Sequence, residues 1–279
     1  MKNLTTLLFA ACAVSSSYAQ QLKVPAPSPS QSIKQSFALS EITIEYSRPS
    51  ARNRVVYGDL VPYNQMWRTG ANASTKIGFG EDVKVEGVAI PSGTYALYTI
   101  PKKDAWEVIF YKDLTLGGNV DEFKKENELA RFTVKPTSLN ERVETMTFSF
   151  ADMSATQAAI RLDWENTRIS LNVQADIDSR VMKNIDKALE KDTRPYYQAA
   201  SYYYDNNKDL AKAVEWVNKA TEQNPKAYWV WTLKAKIHAK QKNKKEALAA
   251  AEKAKQLASE EKDDNYVKQA EKIIAENKG

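Results

Sequence analysis

The residues able to do chemistry are few, and their surroundings narrow the options further. His238 is the only histidine and Cys12 the only cysteine in the 279-residue chain. His238 stands among lysines in a stretch with helical periodicity, a poor setting for the base of a Ser-His-Asp set, and one histidine cannot build a His-rich zinc site. The pair Gly117-Gly118 lacks the Lys-Ser/Thr that a phosphate-cradling loop needs after it, and reads as a turn. Two carboxylate pairs, Asp121 with Glu122 and Asp163 with Glu165, carry the group types of glycoside hydrolysis, but sequence does not set the separation that this chemistry requires. No catalytic residue, metal site or cofactor is therefore assigned.

A binding loop is the stronger candidate. Residues 62–72 read PYNQMWRTGAN. Trp67 offers a broad apolar face with an N–H handle, Arg68 a planar fork of donors suited to carboxylate, and Asn72 both a donor and an acceptor. Arg48, before Pro49 on a neighbouring loop, completes the set. Arg48, Trp67, Arg68 and Asn72 could hold a sugar ring or a small acidic group at the mouth of a β-domain. The same residues could equally form a structural corner. Trp67 would then plug one end of the domain, Arg68 would tie down loop carbonyls or Glu45, and Gly70 and Asn72 would supply positive φ.

The elements that position this loop have a period of two. Ile42, Ile44 and Tyr46 alternate with polar residues, as do Val83 and Val85, Met146 to Phe150, Ile160 to Trp164 and Ile169 to Val173. Alternation marks strands with one dry and one wet face. The runs Thr94–Ile100 and Ala105–Tyr111 are apolar on both faces and predict central strands joined by a hairpin over residues 101–104. Residues 121–130 predict a short helix or irregular loop. Closely spaced strands without intervening helices indicate an antiparallel sandwich.

Beyond Ala175 the period becomes helical. Val181, Met182, Ile185, Ala188 and Leu189 share one stripe, which predicts a helix over 179–191. Taking Pro225 as the closing proline of a 34-residue unit places Tyr197, Ala200, Ser201 and Tyr204 on the inner face of one helix. Ala213, Val217 and Ala220 then lie on that of the next. The following unit keeps Trp231, Ala235, Ala247 and Ala254, and departs at Lys234, His238 and Ser259. This pattern resembles the tetratricopeptide repeat, whose small residues let paired helices approach closely. A last helix over 264–277 acts as a cap. Tyr203, Trp229 and Lys236 are the candidate residues of a protein-binding groove. The lysines from Lys234 to Lys245 read as a solvated face.

The N-terminus has the layout of a secretory signal peptide: Lys2, a short apolar run, then Ser17-Tyr18-Ala19 before Gln20. Lipidation at Cys12 is the alternative, although Phe9 stands where a lipobox carries Leu. Cleavage after Ala19 leaves 39 basic and 35 acidic residues, a net charge of +4. That balance gives no reason to expect nucleic acid as a partner, and no later segment is long and apolar enough to span a bilayer. The Pro/Ser-rich residues 20–35 predict an unstructured linker.

The stretches ITIEYSRPS, YGDLVPYNQMWRTGANASTKIGF, IPSGTYALYTIP, WEVIFYKD and IRLDWEN resemble the bacterial envelope family known as domain of unknown function 2911. The resemblance runs from about residue 30 to 173. It implies export, a β domain and a helical-repeat tail, and it brings no catalytic set or cofactor. The expected organisation is a signal peptide (1–19), a linker (20–35), a β-sandwich domain (36–175) and a helical tetratricopeptide-like domain (176–279). The expected protein is periplasmic or secreted and non-enzymatic. It would bind a protein partner through the repeats, with a carbohydrate-binding or glycoside-processing β domain as the alternative.

Overall fold

A computed structural model describes residues 24–190 and 195–278. The signal-peptide segment, Cys12 and residues 20–23 of the expected linker lie outside the described residues. The chain divides into two compact units at residues 176/177.

The first unit is a sandwich of two antiparallel sheets. Among the described residues ten strands build it: β1 (Ser30–Phe37), β2 (Ser40–Ser47), β3 (Thr75–Phe79), β4 (Val83–Val85), β5 (Val88–Ile90), β6 (Gly93–Ile100), β7 (Trp106–Tyr111), β8 (Glu128–Val134), β9 (Thr137–Ala151) and β10 (Gln157–Gln174). One sheet has the order β1-β2-β3-β6-β7-β8, the other β5-β4-β10-β9. The register Ile44↔Ile77↔Tyr95 puts apolar residues in cross-strand rows on the inner face. Leu97↔Phe110↔Ala130 continues them. Such rows are what a half-buried antiparallel sheet needs.

Strands β6 and β7 are central and dry on both faces, as expected. Their outer face carries Ala96, Tyr98, Ile109 and Tyr111, all buried beneath Leu114, Leu116, Val120 and Phe123 of the following loop. Phe123 stacks on Tyr111 at 4.5 Å, and the Tyr98 hydroxyl donates to the Gly117 carbonyl at 2.8 Å. Two single 3-10 turns, Val120–Glu122 and Lys125–Asn127, shape this cover. The irregular segment expected over 121–130 thus ends at Asn127, and Glu128 already begins β8.

The runs around Leu162 and Leu171 belong to one long strand. β10 pairs with β9 through register shifts on either side of Glu165, whose φ is 54°. A bulge inserts one extra residue and reverses the alternation. Even-numbered residues 160, 162 and 164 are therefore buried before it, and odd-numbered 169, 171 and 173 after it.

The linker expected over 20–35 is corrected in its second half. Ser30–Phe37 is a strand in register with β2, and Pro29 accepts a backbone bond from Arg48 at 2.9 Å. The Ser/Gln composition masked an edge strand, because only alternate residues of β1 need partial burial.

Among the described residues the second unit holds six helices: α1 (Asp178–Glu190), α2 (Tyr196–Asp205), α3 (Leu210–Gln223), α4 (Tyr228–Lys240), α5 (Lys244–Glu260) and α6 (Asp264–Asn277). Small residues line the contacts: Ala199, Ala200, Ala213 and Ala220 in the first pair, Ala235, Ala250 and Ala251 in the second. Asp209 caps α3 by accepting from the Ala211 and Lys212 amides, and Asp263 caps α6 through the Tyr266 amide. Such caps satisfy amides that have no partner within the helix. The inner stripe of α2 is rotated from the expected one: Ala199, Ala200 and Tyr203 are buried, while Tyr197, Ser201 and Tyr204 are half-buried. Tyr202 reaches Asp178 on α1 at 2.5 Å, and Lys208 pairs with the other oxygen of that carboxylate.

Candidate functional site

The loop of residues 62–72 is fixed by backbone pairing. The Trp67 and Thr99 amides exchange hydrogen bonds at 2.8 and 2.9 Å, which adds the loop to the edge of β6. Trp67 therefore points between the sheets. Its ring stacks on Trp164 at 5.9 Å and meets Trp106 and Tyr57 edge-on at 6.4 and 6.3 Å. Its indole N–H donates to the Gly70 carbonyl at 3.1 Å. Thr69 is fully buried with φ 53°, a strained value for a β-branched residue. Its hydroxyl lies 3.0 Å from that of Thr99, and its carbonyl accepts from the Thr75 hydroxyl at 2.5 Å. The positive φ expected at Gly70 falls on Thr69 instead. Gly70 is required for space: a Cβ there would sit 3.1 Å from the Thr75 hydroxyl and 3.4 Å from the Ser47 carbonyl. Asn72 does take positive φ, 58°.

The four predicted ligand residues fall in three separate places. Trp67 joins the aromatic cluster just described. Arg68 turns to the outer face, where its guanidinium approaches Gly118 so closely that a Cβ there would lie 2.7 Å from it. Its Nε is enclosed without a hydrogen bond among the described residues. Arg48 bridges the two sheets, donating to the Met146 carbonyl at 3.0 Å and the Thr147 hydroxyl at 2.7 Å. Asn72 donates to the Ser28 carbonyl and the Ser47 hydroxyl at 3.3 and 3.2 Å. Three of the four are thus engaged within the chain, and their contacts are those of a structural corner.

Several clefts of this unit lie elsewhere, and two of them carry polar linings of interest. One, of about 290 Å³, runs over the outer face of β1, β2 and β3 and is lined by Ser30, Ser32, Ser47, Glu45 and Lys76. The other, of about 120 Å³, opens above Tyr57 and Trp106, beside Lys102 and Lys103. Tyr57 and Trp106 are not among the residues that the sequence pattern singles out as candidates. The available signal is a pair of lysines in the β6–β7 turn, four and three residues before a tryptophan.

In the helical unit the groove candidates also separate. Tyr203 is corrected: it is 2% exposed and meets Trp216 edge-on at 4.7 Å, inside the α2–α3 core. Trp229 is 38% exposed and packs edge-on against Tyr228, which in turn meets Tyr266 of α6 at 5.0 Å. The Tyr228 hydroxyl donates to Asp263 at 3.0 Å. Lys236, two turns along α4, donates to Gln269 of α6 at 3.0 Å. Trp229 and Lys236 therefore belong to a face shared by α4 and α6. His238 is buried, its Nδ1 enclosed without a partner among the described residues, and burial followed by the nearby Lys234 ammonium holds its pKa below the ordinary 6.5.

The two units define a β-sandwich protein carrying a stack of tetratricopeptide-type helices. Residues 28–173 match the family model described as protein of unknown function DUF2911, and the chain belongs to that family. Residues 194–226 and 230–261 match the tetratricopeptide repeat. No curated protein and no solved structure matches the chain. Among the described residues no helix is long and apolar enough to cross a membrane.

Proposed function

We propose that this is an exported, non-enzymatic binding protein whose helical unit docks a segment of a partner protein on the α4–α6 face. The observation that carries the reading is Trp229. Most large apolar side chains of the repeats are packed away, whereas this indole stands exposed beside Tyr228 and Tyr266. Exposed tryptophan next to tyrosine is the composition of a binding hot spot. The tetratricopeptide match supports the class of partner. Export rests on the N-terminal layout of Lys2, the apolar run and Ser17-Tyr18-Ala19. The β domain serves as a scaffold or small-ligand module. The carbohydrate alternative is weakened because the Trp67 N–H and the Asn72 amide already have partners inside the chain.

The test is cross-linking of the full chain in native envelope extract, read by mass spectrometry, beside a Trp229→Ala, Lys236→Glu variant with unchanged helical circular dichroism. A protein cross-linked to α4 or α6 in the parent and lost in the variant supports the reading. Cross-links that persist in the variant, or that map only to the β-domain, reject the α4–α6 face.

A further inference from the structure

The cleft above Tyr57 and Trp106 has the chemistry of a small anion site. Three tryptophans form the aromatic cluster at this end of the sandwich. Two have their N–H groups engaged internally: Trp67 on the Gly70 carbonyl and Trp164 on the Glu144 carbonyl at 3.2 Å. The third, Trp106, is 1% exposed, and among the described residues its indole N–H has no hydrogen-bond partner. Tyr57 is 7% exposed and packs edge-on against Trp106 at 4.8 Å, and its hydroxyl likewise has none. Neither atom is among the fully enclosed unpaired groups, such as Arg68 Nε or His238 Nδ1. Both residues line the cleft, so their polar atoms meet its contents. A buried donor left unbonded costs about 1–3 kcal/mol, and two on one cleft favour an occupant that accepts both bonds.

The surrounding charges specify that occupant. Lys102 is tied to Glu107 at 2.7 Å, but Lys103 is exposed and forms no ion pair among the described residues. Thr137 and Ser138 add hydroxyls to the rim. Burial first, then the nearby Glu165 and Asp163 carboxylates, keep the Tyr57 phenol protonated and able to donate. Asp163 is held by Arg168 at 2.6 Å and Glu165 by Arg142 at 3.5 Å. One free ammonium facing two compensated carboxylates suits a single negative charge better than a double one. The volume, about 120 Å³, leaves room for a carboxylate group.

We propose that Tyr57, Trp106 and Lys103 form a binding site for a monocarboxylate group. The phenol and the indole N–H donate to its two oxygens, and the ammonium closes over it. The group belongs either to a free short-chain acid or to the C-terminus of a peptide.

The full chain labelled with ¹⁵N-tryptophan tests this. The Trp106 indole signal is assigned through Trp106→Phe and followed during titration with propionate, with Ala-Ala-Ala and its C-terminal amide, with inorganic phosphate and with sodium chloride. A saturable shift with propionate or the free-acid peptide, absent with the amide and chloride, is expected. Affinity should fall at least fivefold in Lys103→Met and in Tyr57→Phe, the latter keeping the ring that packs on Trp106. Response to propionate alone identifies the free acid, and response to the peptide alone the C-terminus. An equal response to chloride, a response to phosphate only, no saturation, or unchanged affinity in both variants overturns the proposal.

Discussion

Trp67 stacks on Trp164 with ring planes 25° apart, joining a loop of the six-stranded sheet to β10 of the four-stranded one. The loop that looked most like a ligand site is therefore a clasp between the two sheets. Removing the Trp67 ring should leave a cavity, with Trp106, Tyr57 and Trp164 losing a neighbour at once. Trp67→Ala is expected to cost about 3 kcal/mol, read from chemical denaturation of the β-domain transition. Trp229→Ala, at an exposed position, should stay within about 0.5 kcal/mol. Equal effects of the two would show that Trp67 is not a core residue.

Arg131 links two carboxylates of the outer β7–β8 face, Glu107 at 2.5 Å and Glu128 at 2.8 Å. Lys102 and Arg131 hold the pKa of Glu107 below 4.5, and Arg131 then Lys125 do the same for Glu128. A depressed carboxylate stabilises the fold above its unfolded pKa, and that contribution is lost as pH falls through the folded value. Arg131→Met should lower stability by about 1–2 kcal/mol at pH 7. At pH 3 the difference from the parent should be smaller, because protonation weakens the pairs as pH falls from the unfolded value towards the depressed folded ones. Denaturation at both pH values measures it, and a pH-independent difference would remove the electrostatic account.

His238 predicts a second pH effect in the helical unit. Its folded pKa is depressed, so the unfolded chain takes up the proton first and stability falls as pH drops below about 6.5. The charges acting on it are Lys234 on its own helix, which opposes protonation, and Glu246 on α5, which favours it. His238→Phe should flatten the melting temperature of the helical signal between pH 7 and 5, followed by circular dichroism. A slope unchanged by the substitution would assign the effect to other groups.

The N-terminal reading predicts a mature chain beginning at Gln20. Intact mass of the protein recovered from the envelope fraction should show loss of residues 1–19. A lipidated N-terminus at Cys12 would give a larger, acyl-bearing mass instead.

Much of the architecture was legible in the chain. Alternation in Ile42–Tyr46 and in Met146–Phe150 marked strands because a sheet face repeats every two residues. Ala213, Val217, Ala220, Ala235 and Ala247 marked paired helices because close helix contact demands small side chains. The double-sided apolar runs of β6 and β7 announced burial on both faces, though not the cover itself: Phe123 on Tyr111 is a contact between a strand and an irregular loop, which has no period to read.

Contacts between residues distant in sequence were decided only in three dimensions. Arg48 meets Thr147 and Trp67 meets Trp164 across roughly a hundred residues, and no local pattern encodes such pairs. The bulge at Glu165 reverses the inward face of β10, so alternation on either side of it looks like two strands. One helical turn separates Tyr203 in the core from Asn207 in the turn, and the rotation of α2, set by its contacts with α1 and α3, chose which tyrosine was buried. Sequence by itself determined the periods, and through them the two units. The tertiary structure decided which side chains converge, because convergence depends on register, bulges and helix rotation, where a shift of one residue sends a side chain to the opposite face.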